Sequence, residues 1–154
     1  MQRPVRRQDR EISLGEAIQL LASAAHGVLA TTGGDGQAYA VPLSFALDGE
    51  HIYFHCATEG LKLDNIRANP AVSFCVIGQT KTLPRQFGTE YESAVVFGVA
   101  KEIFADEKQH ALVKILEKYS PEFLAEGAKY IAGKFDKTTV IQIDITRLTG
   151  KARR

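Results

Sequence analysis

Residues 27–45 read Gly-Val-Leu-Ala-Thr-Thr-Gly-Gly-Asp-Gly-Gln-Ala-Tyr-Ala-Val-Pro-Leu-Ser-Phe, with an apolar run on either side of Gly33-Gly-Asp-Gly36. Glycine enters positive φ without steric cost, so this turn joins two antiparallel strands in a hairpin. A second turn at Asp48-Gly49 leads into a third strand, His51–Cys56. Neighbouring strands joined by hairpins exclude a doubly wound parallel sheet, which needs a helical crossover between strands.

The helices announce themselves by their ends. Ser13-Leu-Gly-Glu16 is a capping box and opens a helix through about Ala25. Leu14, Ala17, Ile18, Leu21 and Ala25 fall on one helical face. Leu61–Ala68 reads as a short helix stopped by Asn69-Pro70. Asp106 is expected to cap a helix through about Tyr119, and Ser120-Pro121 to restart one, with Ser at the cap and Pro at the first helical position. Strands are expected at Val72–Ile77, at Tyr91–Phe104 with a bulge or close approach at Gly98, and at Thr138–Ile145. Residues 78–90 lack periodicity and are expected to be a loop. The expectation is an α+β, mainly β fold: a six-stranded antiparallel split β-barrel with flanking helices, one domain over residues 1–154.

Composition bounds the function. There are 19 Lys+Arg against 18 Asp+Glu, and hydrophobic residues make up 45% of the 154, which suits a soluble globular domain. No apolar run nears the roughly 20 residues that span a bilayer. The start, Met1-Gln-Arg-Pro-Val-Arg-Arg, has no apolar stretch behind its charges, which argues against secretion and for a cytoplasmic protein whose Cys56 and Cys75 stay reduced. The net charge of +1 hides basic ends: +3 over residues 1–10, +4 over 147–154 and −6 between them. Basic tails 1–12 and 147–154 can grip an anion or simply keep the chain soluble. They carry no aromatic interleaving and no DNA-binding motif, so neither nucleic acid nor membrane is expected as a partner.

Chemistry concentrates in Phe54-His-Cys-Ala-Thr-Glu-Gly-Leu-Lys-Leu-Asp-Asn-Ile66. A strand ends, a Thr-Glu-Gly loop follows, and a helix starts with Lys62 in its first turn. Unpaired N–H groups and the helix dipole favour phosphate there. Thr58 can cap or donate its hydroxyl, Gly60 allows close backbone approach, and Lys62 adds a full charge. A plain capped helix would show the same residues, so the two readings stay open. His26, His51, His55 and His110 have no zinc-ligand spacing, and no metal site is expected. His55 lies nearest this segment, with either a functional or a structural role. Cys56 and Cys75 form no C-x-x-C pair and are expected to be inert thiols. No glycine-rich dinucleotide or P-loop motif occurs.

Taken together, several segments resemble the pyridoxamine 5′-phosphate oxidase-related FMN-binding split-barrel superfamily, in the branch that includes nitroimidazole-resistance proteins. They are Arg6–Ile12, Tyr39–Phe45, Ile52–Ile66, Asn69-Pro70, Tyr91–Gly98 and Leu148–Lys151, so the resemblance covers nearly the whole chain. It implies a homodimer with FMN at the subunit interface. Lys62, with Ala57, Thr58, Gly60 and Leu61 around it, would hold the phosphate. Val41, Pro42, Leu43 and Ser44 would line the ring and ribityl chain, His55 and Cys56 would give main-chain contacts, and Tyr91 and Ser93 would reach in from either subunit. Pro42 inside an apolar strand fits an edge, where free backbone groups can bond a ring. Arg6, Arg7 and Arg10 would pack over the flavin mouth or across the interface.

The implied activity is FMN-dependent oxidoreduction of a small-molecule electron acceptor such as a nitro-aromatic. A non-catalytic flavin- or haem-binding protein is the alternative. Relatives often place a second His just before the Lys. Leu61 stands there in this chain, so no catalytic residue is carried over. The chain also stops short of the C-terminal segment with which pyridoxamine phosphate oxidases hold their substrate, so vitamin B6 oxidation is not implied.

Overall fold

The computed structural model describes residues 3–154. Met1 and Gln2, part of the expected N-terminal tail, lie outside them. Among the described residues, seven strands form one antiparallel sheet: β1 Gly27–Thr32, β2 Ala38–Leu43, β3 Ala46–Asp48, β4 His51–Cys56, β5 Ala71–Leu83, β6 Gly88–Ile103 and β7 Thr139–Arg153. The helices are α1 Leu14–Ser23, α2 Leu61–Ala68, α3 Ala105–Tyr119 and α4 Leu124–Lys134. The strand order is β2-β1-β5-β6-β7-β4-β3, a sheet that curls as a split barrel without closing. The mainly β split barrel thus holds, with seven strands in place of six because Ala46–Asp48 pairs with β4 as a short strand of its own.

The first hairpin forms as its sequence dictates. Gly36 takes φ 85°, and Gly27–Thr32 pairs in register with Leu43–Ala38. Alternation along β1, β5 and β6 sends Leu29, Phe74, Val76, Ala94 and Val96 into the barrel, where they meet Phe45, Phe54 and Ile143. The capping box of Ser13 and Glu16 is complete, and Ala17 and Leu21 of α1 close one end of that core. Strand β4 is buried on both faces. Ile52 and Phe54 point into the barrel, while Tyr53 joins a second core with Leu112, Ile115 and Ile131 beneath α3 and α4.

Several local expectations are corrected. Residues 78–90 are not a loop: β5 and β6 extend there as a two-stranded arm, from Thr80↔Tyr91 to Leu83↔Gly88, turning through Pro84–Gln86. Its polar residues face water on both sides, so the pattern carries no buried alternation. Asp106 does not cap α3. The helix begins at Ala105 after Phe104, and Asp106 sits in the first turn, where its charge still suits the dipole. Ser120 does not cap α4, since its N–H closes α3 onto the Leu116 carbonyl. A turn from Ser120 to Phe123 precedes a helix that starts at Leu124.

The C-terminal segment is not a tail. The bulge at Phe97/Gly98 lets β7 run on beside β6, pairing Ser93 with Lys151 and Tyr91 with Arg153. The N-terminal segment docks on the same strand through the Glu11↔Lys151 bridge and the Ile12 N–H to the Gly150 carbonyl. Arg154 reaches Glu16 and Glu92, and Arg7 pairs with Asp9 at 2.6 Å.

Candidate functional site

The start of α2 is open. Gly60 is its N-cap residue at φ 149°, and a Cβ built there would meet no heavy atom within 4 Å. Thr58, expected as a possible cap, leaves the helix without a side-chain cap. The first intrahelical bond runs from the Asp64 N–H to the Gly60 carbonyl at 3.1 Å, so the amides before it have no partner within the helix. Lys62 lies half-buried in this first turn and makes no ion pair among the described residues. Leu63 and Ile66 anchor the helix in the barrel core. The buried Asn65 amide donates to the Thr31 hydroxyl at 3.0 Å, which fixes the helix start against β1.

Cys56, at the end of β4, lies within the electrostatic reach of Lys62. Burial pushes its thiol up, and the Lys62 charge only partly offsets that. Strand β2 sits at one end of the sheet and bonds only β1, so Pro42 lies on an edge as its residue type required. Val41 and Leu43 pack against the barrel core, which leaves Pro42 and Ser44 as the exposed side chains of this segment.

A cleft of about 580 Å³ opens between the β3–β4 side of the sheet and the helical layer. Ser44, two residues before β3, and His55, on the neighbouring strand β4, meet in its wall. The rest comes from α3, α4 and the turn between them, including Tyr119, Phe123, Tyr130 and Lys134. His55 stays solvent-accessible at the cleft, and partial desolvation pushes its pKa below the ordinary histidine value. The hydroxyl of Tyr119 is already engaged: it donates to the Ala25 carbonyl at 2.6 Å and accepts from the Phe45 N–H at 2.9 Å. Only the ring of Tyr119 is left to face the cleft.

The predicted residues therefore fall into groups. Ala57, Thr58, Gly60, Leu61 and Lys62 form the loop and first turn of α2, with Cys56 beside them. Ser44 and His55 share the cleft. Tyr91 and Ser93 stand elsewhere on β6. Tyr91 lines a separate groove of about 150 Å³ with Thr80 and Arg153, and neither Tyr91 nor Ser93 lines the cleft that holds His55. Sequence reasoning missed the contribution of α3 and α4 altogether. The aromatic spacing of Tyr119, Phe123 and Tyr130 was its only local signal. Among the described residues no cluster of His, Cys, Asp or Glu could hold a metal, and no helix is long and apolar enough to cross a membrane.

The sequence profile of a family described as pyridoxamine 5′-phosphate oxidase matches residues 13–152. No curated protein matches significantly. Among solved structures, a conserved hypothetical protein from Mycobacterium tuberculosis superposes with a TM-score of 0.83 at 23% identity, covering 98% of this chain and 91% of that one. A putative 5-nitroimidazole antibiotic resistance protein from Bacteroides thetaiotaomicron gives 0.76 at 22% identity, with 92% and 85% covered. At such identities the likeness shows the fold. An FAD-binding protein from Mesorhizobium loti gives 0.68 at 28% identity, with 94% and 98% covered.

Proposed function

The chain belongs to the pyridoxamine 5′-phosphate oxidase family, and from that premise we propose that it binds FMN and acts as a cytoplasmic, homodimeric oxidoreductase of small molecules. The start of α2 carries this reading. Uncapped amides, the open space beside Gly60 and the unpaired Lys62 ammonium suit a phosphate monoester. Ala57, Thr58 and Leu61 complete that cradle. The main chain of Val41–Ser44 on the sheet edge, with His55 and Cys56, would hold a planar ring. The FAD-binding relative supports a flavin as the ligand.

Bound there, the flavin supplies two-electron transfer between a donor and an acceptor, and the protein holds and tunes it. We assign the acceptor to small aromatic molecules, nitro-aromatics included. Two features support a dimer. Ile77, Phe97 and Val99 expose apolar side chains on the outer faces of β5 and β6. Tyr91 and Ser93, which do not line the cleft of Ser44 and His55, would then act from a second copy.

Fluorescence titration of FMN into the purified chain tests the site. Lys62→Ala is expected to weaken FMN by ~1.5–3 kcal/mol, the worth of its charge-assisted bonds. Unchanged affinity overturns the assignment. Anaerobic mixing of the flavin-loaded protein with reduced nicotinamide and a nitro-aromatic separates turnover from binding alone. No flavin bleaching and no acceptor reduction would leave a binding protein.

A further inference from the structure

The cleft between α3, α4 and the sheet edge is larger than the helix packing requires, and it is chemically lopsided. A volume of about 580 Å³ lies within the range of small-molecule sites. The floor is apolar, built from Leu112, Ile115 and Ile131. Gly127 makes that floor possible: any side chain there would run into Leu116, so the absence of a Cβ lets α4 lie directly on α3. The mouth is aromatic, with Phe123 58% and Tyr130 68% exposed. Leaving such rings in water is unfavourable, and a contiguous apolar rim around a concavity marks a binding surface.

The charges define what the cleft refuses. Among its lining residues Glu126 and Lys134 are the full charges, and they cancel. A phosphate or carboxylate dianion would find one ammonium and one repelling carboxylate. The polar groups that remain, Ser44, His55, Ser120 and the Tyr130 hydroxyl, can orient a ligand by single hydrogen bonds, while the Thr138 hydroxyl already donates to the Lys134 carbonyl at 2.9 Å. Tyr119 offers its ring only, because its hydroxyl is bound to main chain.

We propose that this cleft is the substrate pocket, and that it takes an uncharged, planar aromatic molecule and rejects the phosphorylated form of the same ring system. Ser44 and His55 belong both to this cleft and to the strand ends assigned to the flavin, so a ligand held here lies beside the proposed flavin site. Phe123 and Tyr130 set the specificity by stacking. The proposal extends the flavoprotein reading, but its test needs no flavin, so the two fail separately.

The matched probes are 2-naphthol and 2-naphthyl phosphate. The chain has no Trp, so Phe123→Trp places a single indole reporter at the mouth. Saturable quenching of that indole by 2-naphthol is expected, with at least tenfold weaker binding of 2-naphthyl phosphate. Calorimetry on the unlabelled chain should agree. Phe123→Ala should weaken 2-naphthol about tenfold, and Ser120→Phe, which fills the cleft, should abolish binding. Lys129→Ala, on α4 but outside the cleft lining, should leave it within about twofold. Sedimentation and circular dichroism of each variant confirm that fold and oligomeric state are retained.

Non-saturable quenching, equal or tighter binding of the phosphate, or indifference to both Phe123→Ala and Ser120→Phe overturns the proposal. A change of oligomeric state on Phe123→Ala overturns it too, because the aromatic rim would then be covered by a second copy. Loss of FMN binding by Lys62→Ala with unchanged 2-naphthol affinity leaves the proposal standing.

Discussion

The ammonium of Lys118 sits 3.8 Å from the centre of the Phe45 ring and donates to the carbonyl of Phe45 itself at 2.9 Å. It also donates to the Ala24 carbonyl at 2.8 Å. With the neighbouring Tyr119 hydroxyl, it ties the last turn of α3 to the segments leading into β1 and β3. Ser44, a wall residue of the cleft, is held immediately before this knot.

Lys118→Met keeps the aliphatic stem and removes the donor. Two main-chain carbonyls then lose their partner, with an expected loss of about 1–3 kcal/mol in urea unfolding. The pH dependence has a definite sign. Desolvation pushes the folded-state pKa of Lys118 below 10.5, so the folded chain releases this proton first. The unfolded chain then binds more protons in that window, and the group's contribution to stability grows as pH rises toward 10.5. The stability gap between wild type and Lys118→Met should widen as the pH rises toward 10.5, and a gap that narrows would contradict the placement.

Asn65 and Thr31 hold the start of α2 through one buried bond. Either Asn65→Ala or Thr31→Val strands a buried polar group and is expected to cost about 1–3 kcal/mol. The double variant should cost less than the sum of the two, since the pair is removed together. Additive losses in a denaturant cycle would show that the two side chains act independently.

Two glycines should respond in opposite directions to alanine. At Gly98 a Cβ would come within 2.6 Å of the Asp144 carbonyl oxygen and the Ile143 side chain, so Gly98→Ala should destabilise by about 1–3 kcal/mol. At Gly133, in α4, nothing lies within 4 Å, and Gly133→Ala should stabilise by about 0.5–1 kcal/mol. Thermal unfolding of the two variants checks both signs.

Burial keeps the Cys56 thiol protonated, and Lys62 opposes that shift. At about pH 8 its alkylation by iodoacetamide should be slower than that of a free small thiol, and Lys62→Ala should slow it further. Mass spectrometry over time separates the outcomes. Faster modification in the variant would remove Lys62 from the neighbourhood of the thiol.

Much of the architecture was legible in local residue patterns. The Gly33–Gly36 turn, the Ser13–Glu16 capping box, Pro42 on an edge and the bulge at Gly98 each depend on a few adjacent residues whose backbone preferences are strong. The arm of β5 and β6 was illegible because both its faces meet water, so no alternation marks it. The starts of α3 and α4 were misplaced because Asp106 and Ser120 resemble caps, whereas the Ser120 amide is spent on closing α3.

The candidate site divides along the same line. Gly60 and Lys62 lie two residues apart at a helix start, so the order of residues alone determined that amides and an ammonium would stand together. Ser44 and His55 are neighbours through the β3–β4 hairpin, whereas the aromatic wall comes from the helical layer beyond residue 104. Only the packing of α3 and α4 over β3 and β4 brings that wall against them in one cleft. That packing is decided by buried area summed across the whole molecule, a quantity that no local stretch of sequence contains.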